Sequence, residues 1–182
     1  WSKTDMSNLR LINETTADTS VSSIIINNIF SADFDIYKIV STAFITNSTS
    51  HDISARFVNS AGSIVTASNY DEASLMMRSG ANFLERPTDG TDITQIEFFL
   101  QQNNAEGGGG VAYVFNPFNS SSYTFMINQN QGFLVGTYAY GNKQISVLKQ
   151  TSSITGINLY NNTTSDNFGG GTIKTYGLRV DS

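Results

Sequence analysis

The residues best suited to chemistry are few and widely spaced. His51 is the only histidine in the chain, and it stands next to Asp52. In a Ser-His-Asp triad the acid orients the ring from across the fold, whereas neighbours on a strand point to opposite faces. A turn residue at a strand entry is therefore the favoured interpretation of His51. With no cysteine and one histidine, the chain cannot supply the nitrogen and sulfur ligands of a zinc site.

Carboxylates are the second source of chemistry. Asp33 and Asp35 would share a face of an extended segment, and Asp89 and Asp92 flank Gly90 in a turn. Either pair offers oxygens to calcium, but neither has the spacing of an EF-hand loop, so calcium is only a minor alternative. No cofactor or metal is expected. A glycosidase pair of Asp or Glu depends on tertiary distance, so the sequence leaves it open.

The aromatic residues are the most suggestive candidates for binding. Tyr138 and Tyr140 are two residues apart, with Gly136 before them and Gly141 after. On a surface strand both rings would project on one side, as a sugar-stacking platform or a subunit interface. Packing of both rings in the core is the favoured alternative, since aromatic strand residues mostly pack.

Four consecutive glycines, Gly107 to Gly110, are the last motif of this kind. A phosphate-binding P-loop needs Lys and then Ser or Thr after its last glycine, and Val111 and Ala112 follow here instead. The run therefore predicts a loop that is mobile or tightly folded, and we expect no catalytic residue anywhere in the chain.

Composition limits the scaffold that positions these residues. The chain has 182 residues, of which only 14% are charged, with a formal net charge of −5. That balance and the lack of a Lys/Arg run argue against nucleic acid as a partner. No segment has the roughly 18 apolar residues of a membrane span, so we expect no insertion into a membrane. The first residue is Trp1 rather than Met, which we attribute to processing or trimming.

Short polar-punctuated segments predict an all-β fold. Extended segments are expected at 21–30, 35–46, 52–58, 63–67, 94–101, 111–115, 123–128, 132–138, 143–148, 154–160 and 172–180. Turn signals every 8 to 14 residues are typical of a sandwich or barrel. The one helical candidate is 69–80, where Asn69 would cap the N-terminus and Gly80 would follow the last turn. Residues 1–20 are interpreted as an N-terminal arm and 21–182 as a single domain.

The C-terminal segment resembles a known family. Residues 168–178 read Phe-Gly-Gly-Gly-Thr-Ile-Lys-Thr-Tyr-Gly-Leu, a flexible glycine run followed by an extended segment. This resembles the closing motif of β-rich structural proteins from tailed, mostly marine, bacteriophages. Residues 35–40 and 53–57 resemble an early strand of that family and its partner, and Asn69-Tyr70 resembles an Asn-Tyr pair that follows them. The resemblance implies a jelly-roll or lectin-like antiparallel β-sandwich located in the virion.

Three functions follow from these observations. The leading prediction is a non-enzymatic virion structural protein, a capsid decoration or tail-fibre component, that acts by contact with other virion proteins and with further copies of itself, a trimer being favoured. The alternative is a carbohydrate- or receptor-binding module that uses Tyr138 and Tyr140 to contact a host surface glycan. The third is a polysaccharide depolymerase or glycosidase, which requires two carboxylates that converge in a cleft.

Overall fold

The computed structural model describes residues 8–47, 52–80, 83–87, 93–99, 107–134, 138–162 and 166–179. Within these ranges there are twelve β-strands and no helix. The strands are β1 Leu9–Thr16, β2 Ser23–Ile26, β3 Ile36–Thr46, β4 Ile53–Asn59, β5 Tyr70–Arg78, β6 Leu84–Pro87, β7 Ile96–Phe99, β8 Gly109–Phe115, β9 Thr124–Leu134, β10 Tyr138–Leu148, β11 Ile154–Asn161 and β12 Phe168–Leu178.

The strands form two antiparallel sheets. The larger sheet has eight strands in the order β1-β12-β3-β8-β9-β10-β5-β6, and the smaller has four in the order β2-β11-β4-β7. Buried apolar residues from both sheets belong to one cluster, so the core lies between two layers. The predicted all-β antiparallel sandwich is confirmed, while its jelly-roll type stays a prediction.

Alternation along β3 and β4 shows why these segments are strands. Tyr37 and Ile39 of β3 are buried, whereas Lys38 and Val40, which alternate with them, are partly exposed, as expected for a strand with one core face. Ile53, Ala55 and Phe57 of β4 face the core, as alternation in a strand with one core face requires, but Ser54 between them is also buried.

The alternation is inverted along β9 and β10. In β9 the buried residues include Asn128 and Asn130, while Phe125 and Ile127 are 49% and 41% exposed. In β10 the same holds for buried Gln144 and for Ile145, which is 62% exposed. Over this part of the larger sheet, polar side chains point into the sandwich and apolar ones point away from it.

The C-terminal glycines are part of a strand rather than a flexible lead-in. β12 begins at Phe168 and pairs with both β1 and β3, with irregularities in its register at Gly170. Gly171 has a φ of 110°, and a Cβ there would collide with the backbone of Ala43 and Phe44. Only glycine fits this close approach, because other residues strain at positive φ. The prediction of a flexible run is therefore wrong, and the strand joins the sheet as expected of a terminal segment.

The helix predicted at 69–80 is also wrong, because β5 occupies Tyr70–Arg78. β5 pairs with β10 over nine residues, from Tyr70 opposite Leu148 to Arg78 opposite Tyr140, and with β6 on its other side. These two ladders satisfy the backbone that a short helix would otherwise satisfy internally. Pairing therefore outweighs the capping signals, which contribute only about 1 kcal/mol each.

Other boundaries differ from the prediction as well. The arm at 1–20 is wrong for Leu9–Thr16, which is an edge strand paired with β12, while residues 1–7 lie outside the described ranges. The segment 63–67 forms one isolated bridge, Val58 with Ile64, rather than a strand. The strand predicted at 132–138 falls across two strands, because β9 runs to Leu134 and β10 begins at Tyr138.

Candidate functional site

The acidic and glycine motifs form no site within the described residues. His51, Asp89 and Asp92 lie outside those ranges. Asp33 stands in a turn before β3, where its carboxylate accepts a hydrogen bond from the Ser31 hydroxyl, so the extended segment expected to align it with Asp35 is absent. Of the four glycines, Gly109 and Gly110 belong to β8 rather than to a loop.

Tyr138 and Tyr140 lie on the same side of β10, the side that faces into the sandwich. Tyr140 is 7% exposed and forms a small cluster with Met76, against which Tyr138 packs. The guanidinium of Arg78 lies 5.3 Å from the centre of the Tyr138 ring. The two side chains pack in this small cluster, apart from the main core, and their role in binding stays a prediction.

Two carboxylates meet where the edges of the two sheets approach each other. Glu72 projects from β5 of the larger sheet, and its Oε2 accepts hydrogen bonds from the Glu97 backbone N–H and the Gln144 side-chain amide, both at 2.8 Å. Glu97 belongs to β7, the edge strand of the smaller sheet. Both of its carboxylate oxygens accept from Arg86 Nη1, at 3.1 and 3.2 Å. The two sheets are thus joined here through charged side chains.

A block of four amides extends this contact inward. Asn128 and Asn130 of β9 lie directly opposite Gln144 and Asn142 of β10. The side-chain amides of Asn128 and Asn130 donate to the Phe98 carbonyl of β7 at 2.6 and 3.1 Å. The edge of a strand carries backbone groups that need hydrogen-bond partners. The amide block supplies partners to the backbone of edge strand β7.

Three oxygens of this block are left over. Oδ1 of Asn128, Asn130 and Asn142 is buried and has no hydrogen-bond partner in the described part of the chain. All three are acceptors, and a buried polar atom without a partner costs free energy. Enclosed water is the donor that ordinarily satisfies buried oxygens of this kind.

Burial favours the protonated form of the acidic groups in this region. It raises the pKa of Glu97 to about 7, with the negative charge of Asp52 as a further cause, while Arg86 opposes the shift. Burial also raises the pKa of Glu72, against the hydrogen bond from the Glu97 backbone. For Tyr140, burial together with Asp52 and Glu97 raises the pKa of the phenol. An additional negative charge would be unfavourable here.

A cleft of about 510 Å³ opens at this junction. Apart from Ile93, its lining is polar: Ser54, Glu72, Thr94, Gln95, Glu97 and Asn162. Gln95 donates to the Ser54 hydroxyl at 3.2 Å and accepts from the Tyr160 hydroxyl. The Thr94 carbonyl accepts from Arg56 Nε at 2.9 Å, and the Arg56 guanidinium lies 4.7 Å from the centre of the Tyr160 ring. One wall of the cleft is thus fixed by side chains of β4 and β11.

The outward surface of the larger sheet is a second candidate. Cross-strand register places one row of outward side chains from β1 to β10: Leu11, Tyr176, Lys38, Tyr113, Ile127 and Ile145. The adjacent row is Leu9, Leu178, Ile36, Phe115, Phe125 and Val147. These two rows form the outer apolar face. Lys38 is its only charged residue.

Comparisons with other proteins add no assignment, since no protein-family model, curated protein or solved structure matches the chain. Among the described residues, no group of three or more His, Cys, Asp or Glu side chains could hold a metal ion. The same residues include no helix long and apolar enough to cross a membrane. The candidate sites therefore depend on geometry alone.

Proposed function

We propose that the protein is a non-enzymatic virion structural component that works by contact with other protein subunits, including further copies of itself. The outer apolar face is the observation that carries the contact. Phe125, Ile127 and Ile145 are between 41% and 62% exposed on one side of two neighbouring strands. Contiguous exposed apolar patches of this kind mark interaction sites.

The dimensions of the face suit a subunit contact. With strands about 4.8 Å apart, six strands span roughly 25 Å, and two rows along the strands add roughly 14 Å. That flat footprint of roughly 350 Å² is within the range of functional patches, and the relief of the side chains adds to it. Flanking residues can supply the remainder of the ~800 Å² per partner that a standard interface buries.

The chemistry of the face favours a second copy of this chain as the occupant. Its aliphatic and aromatic side chains complement each other, and residues of these types pack well in homo-oligomer interfaces. A membrane or nucleic-acid partner would call for clustered positive charge, whereas Lys38 stands alone in the two rows. The assembly is a closed homo-oligomer, with a trimer the expected stoichiometry.

The absence of catalysis in this proposal is supported by the state of the two converging carboxylates. Both oxygens of Glu97 are engaged by Arg86, and Glu72 Oε2 accepts two hydrogen bonds. A glycosidase needs one carboxyl group beside the leaving oxygen and another beside the anomeric carbon or its water. Groups that hold two sheets together are poorly placed for either task.

The assembly is tested by sedimentation equilibrium at micromolar concentration. The wild-type protein is expected to be oligomeric, and Ile145→Asp is expected to shift it to monomer, because a charge would be buried without a partner. Ile25→Asp is the matched control: Ile25 is 46% exposed on β2 of the smaller sheet, away from the face. A wild-type protein that is only monomeric, or an Ile145→Asp protein that keeps its mass, contradicts the proposed contact.

The placement in a virion is supported by the resemblance of residues 168–178 to the phage family. Immunogold labelling of intact particles with an antibody against this chain tests it. Label over the head would identify a decoration protein, and label at the tail or fibre tips would identify a tail component. Absence of the chain from purified, disrupted particles by mass spectrometry would contradict the placement.

A further inference from the structure

We propose that the cleft between β5, β7 and β4 binds an uncharged, polyhydroxylated ligand, that is, a neutral carbohydrate. The cleft is distinct from the outer apolar face, since it opens between the two sheets rather than on the outside of the larger one. Its volume of about 510 Å³ lies within the range typical of small-molecule sites.

The lining selects hydroxyl groups by its mixture of donors and acceptors. Ser54, Thr94, Gln95 and Asn162 supply hydroxyl and amide groups, which both donate and accept. Glu72 and Glu97 add carboxylate oxygens, which accept from hydroxyls. A sugar hydroxyl also donates and accepts, so it can pair with every type of group on this wall. An apolar ligand would displace water from these polar groups and offer no hydrogen bond in return.

Charge excludes the other polar ligand classes. An anionic ligand such as a phosphate or a sialylated or sulfated glycan would face Glu72 and Glu97, with Asp52 near enough to raise the pKa of Glu97. The two cations that contact the lining are already engaged: Arg86 binds both Glu97 oxygens, and Arg56 binds the Thr94 carbonyl and lies over the Tyr160 ring. A metal ion is disfavoured because the described residues include no metal-competent group of three ligating side chains. A neutral ligand avoids both penalties.

Hydrogen bonds also hold the lining of the cleft in place before any ligand binds. Arg56 holds the Thr94 carbonyl, and Tyr160 and Ser54 hold the two ends of the Gln95 amide. Behind Glu72, the hydrogen bond to Gln144 connects the cleft with the amide block, which contains three buried oxygens that lack donors. Preorganised polar groups lose little side-chain entropy when a ligand binds, so they favour affinity.

The test begins with a glycan array that carries neutral, sialylated and sulfated oligosaccharides, followed by calorimetric titration of the strongest neutral hit. We expect binding to neutral glycans only. Titration of the corresponding free monosaccharide in parallel distinguishes a site for a surface oligosaccharide from one for a small free sugar. The absence of binding to any neutral glycan or hexose at millimolar concentration, or binding to acidic glycans alone, would overturn the proposal.

Two variants locate the binding. Gln95→Leu and Glu97→Leu are each expected to weaken the affinity at least about tenfold, because each removes a hydrogen-bonding group from the wall. Glu14→Leu is the matched control: it also removes a carboxylate that forms an ion pair, with Lys174 at 3.4 Å, but on edge strand β1. Unchanged affinity in both cleft variants, with their folds verified by circular dichroism, would overturn the assignment.

A measurement on the wild-type protein covers the case in which a variant fails to fold. Addition of the neutral oligosaccharide is expected to shift the NMR signals of the Gln95 side-chain amide and the Ser54 backbone amide. Shifts confined to the outer apolar face would place the ligand elsewhere. The oligomeric state is unaffected by these outcomes, so failure of the cleft proposal and failure of the subunit contact are distinguishable.

Discussion

The inner surface of the eight-stranded sheet is divided into two unlike halves. On β3 and β8 it presents apolar residues, among them Tyr37, Ile39 and Val114, which are at most 1% exposed. On β9, β10 and β5 it also presents buried amides and a carboxylate, beside apolar residues such as Met126 and Leu148. Yet both halves are covered by the same four-stranded sheet, and both are equally inaccessible to water at their centres.

The two halves differ because different strands of the smaller sheet pack on them. The apolar half shares a cluster with Phe57 and Ile157, from β4 and β11 in the interior of the smaller sheet. The polar half meets β7, whose outer edge presents backbone groups and has no neighbouring strand among the described residues. Asn128, Asn130 and Glu72 bind those groups. Polar residues are thus buried where a sheet ends, and apolar residues where it continues.

The apolar half is expected to give the largest loss of stability. Phe57→Ala should lower the free energy of unfolding by about 3–5 kcal/mol, because it removes a ring that is 1% exposed and leaves a cavity beside Tyr70. Urea denaturation measures this loss. Ile25→Ala, at an exposed position, is the control and should cost less than about 1 kcal/mol. Equal losses for the two variants would show that the core is not where the contacts place it.

A substitution in the polar half is expected to give the next largest loss in the free energy of unfolding. Glu72→Ala should cost about 2–4 kcal/mol, since it leaves the Glu97 backbone N–H and one Gln144 amide N–H without an acceptor, while the other Gln144 N–H keeps Ser146. Asp71→Ala is the neighbouring control on the opposite face of β5. Its partner is Lys149, at 2.9 Å, and both side chains are 31% exposed, so a loss below about 1 kcal/mol is expected. A negligible loss for Glu72→Ala would mean that water replaces the carboxylate.

The buried carboxyl group of Glu97 in the polar half also predicts that the free energy of unfolding depends on pH. Below pH 4.5, Glu97 is protonated in both folded and unfolded states. As the pH rises toward the folded pKa of about 7, only the unfolded state releases the proton, so stability falls. The loss is complete above pH 7, with an upper limit of about 3 kcal/mol at about 1.4 kcal/mol per pKa unit.

Glu97→Gln is expected to remove this loss. The difference in unfolding free energy between variant and wild type should therefore grow in favour of the variant from pH 4.5 to 7. Thermal or urea unfolding at a series of pH values measures it, with Glu14→Gln as the carboxylate control. A difference that does not change with pH would contradict the raised pKa.

The sequence is sufficient to predict the strands of the apolar half, but it does not predict those of the polar half. Strands β3, β4 and β11 follow predicted segments closely, because their apolar residues alternate or run together toward a core. In β5 the inward residues include Glu72 and Ser74, so no strand pattern is visible and helix-capping signals dominate. The partner of Glu72 is the backbone of Glu97, 25 residues away, and no local pattern reveals such a contact.

The cleft was missed for the same reason, although the sequence contains one signal for it. Asn128 and Asn130, like Asn142 and Gln144, are two residues apart, the spacing of side chains on one strand face. Such polar pairs in strands flanked by Phe125 and Ile145 would ordinarily be assigned to the solvent side. That assignment is reversed here, because the polar pairs satisfy a strand edge within the sandwich.

The variant with the smallest expected loss of stability separates the influence of charge on the pKa of Glu97 from the influence of burial. Arg86→Gln should cost at most about 1 kcal/mol at neutral pH, because the arginine side chain is 45% exposed and such ion pairs contribute little. The pKa of Glu97 should nevertheless rise further, since Arg86 is the charge that lowers it. Carbon-detected NMR titration of the Glu97 carboxyl measures this shift, with Arg10→Gln on β1 as the control. If the pKa stays near 7 without Arg86, burial and the charge of Asp52 set it, and the edge of β7 is held by Glu72 and the amides rather than by the ion pair.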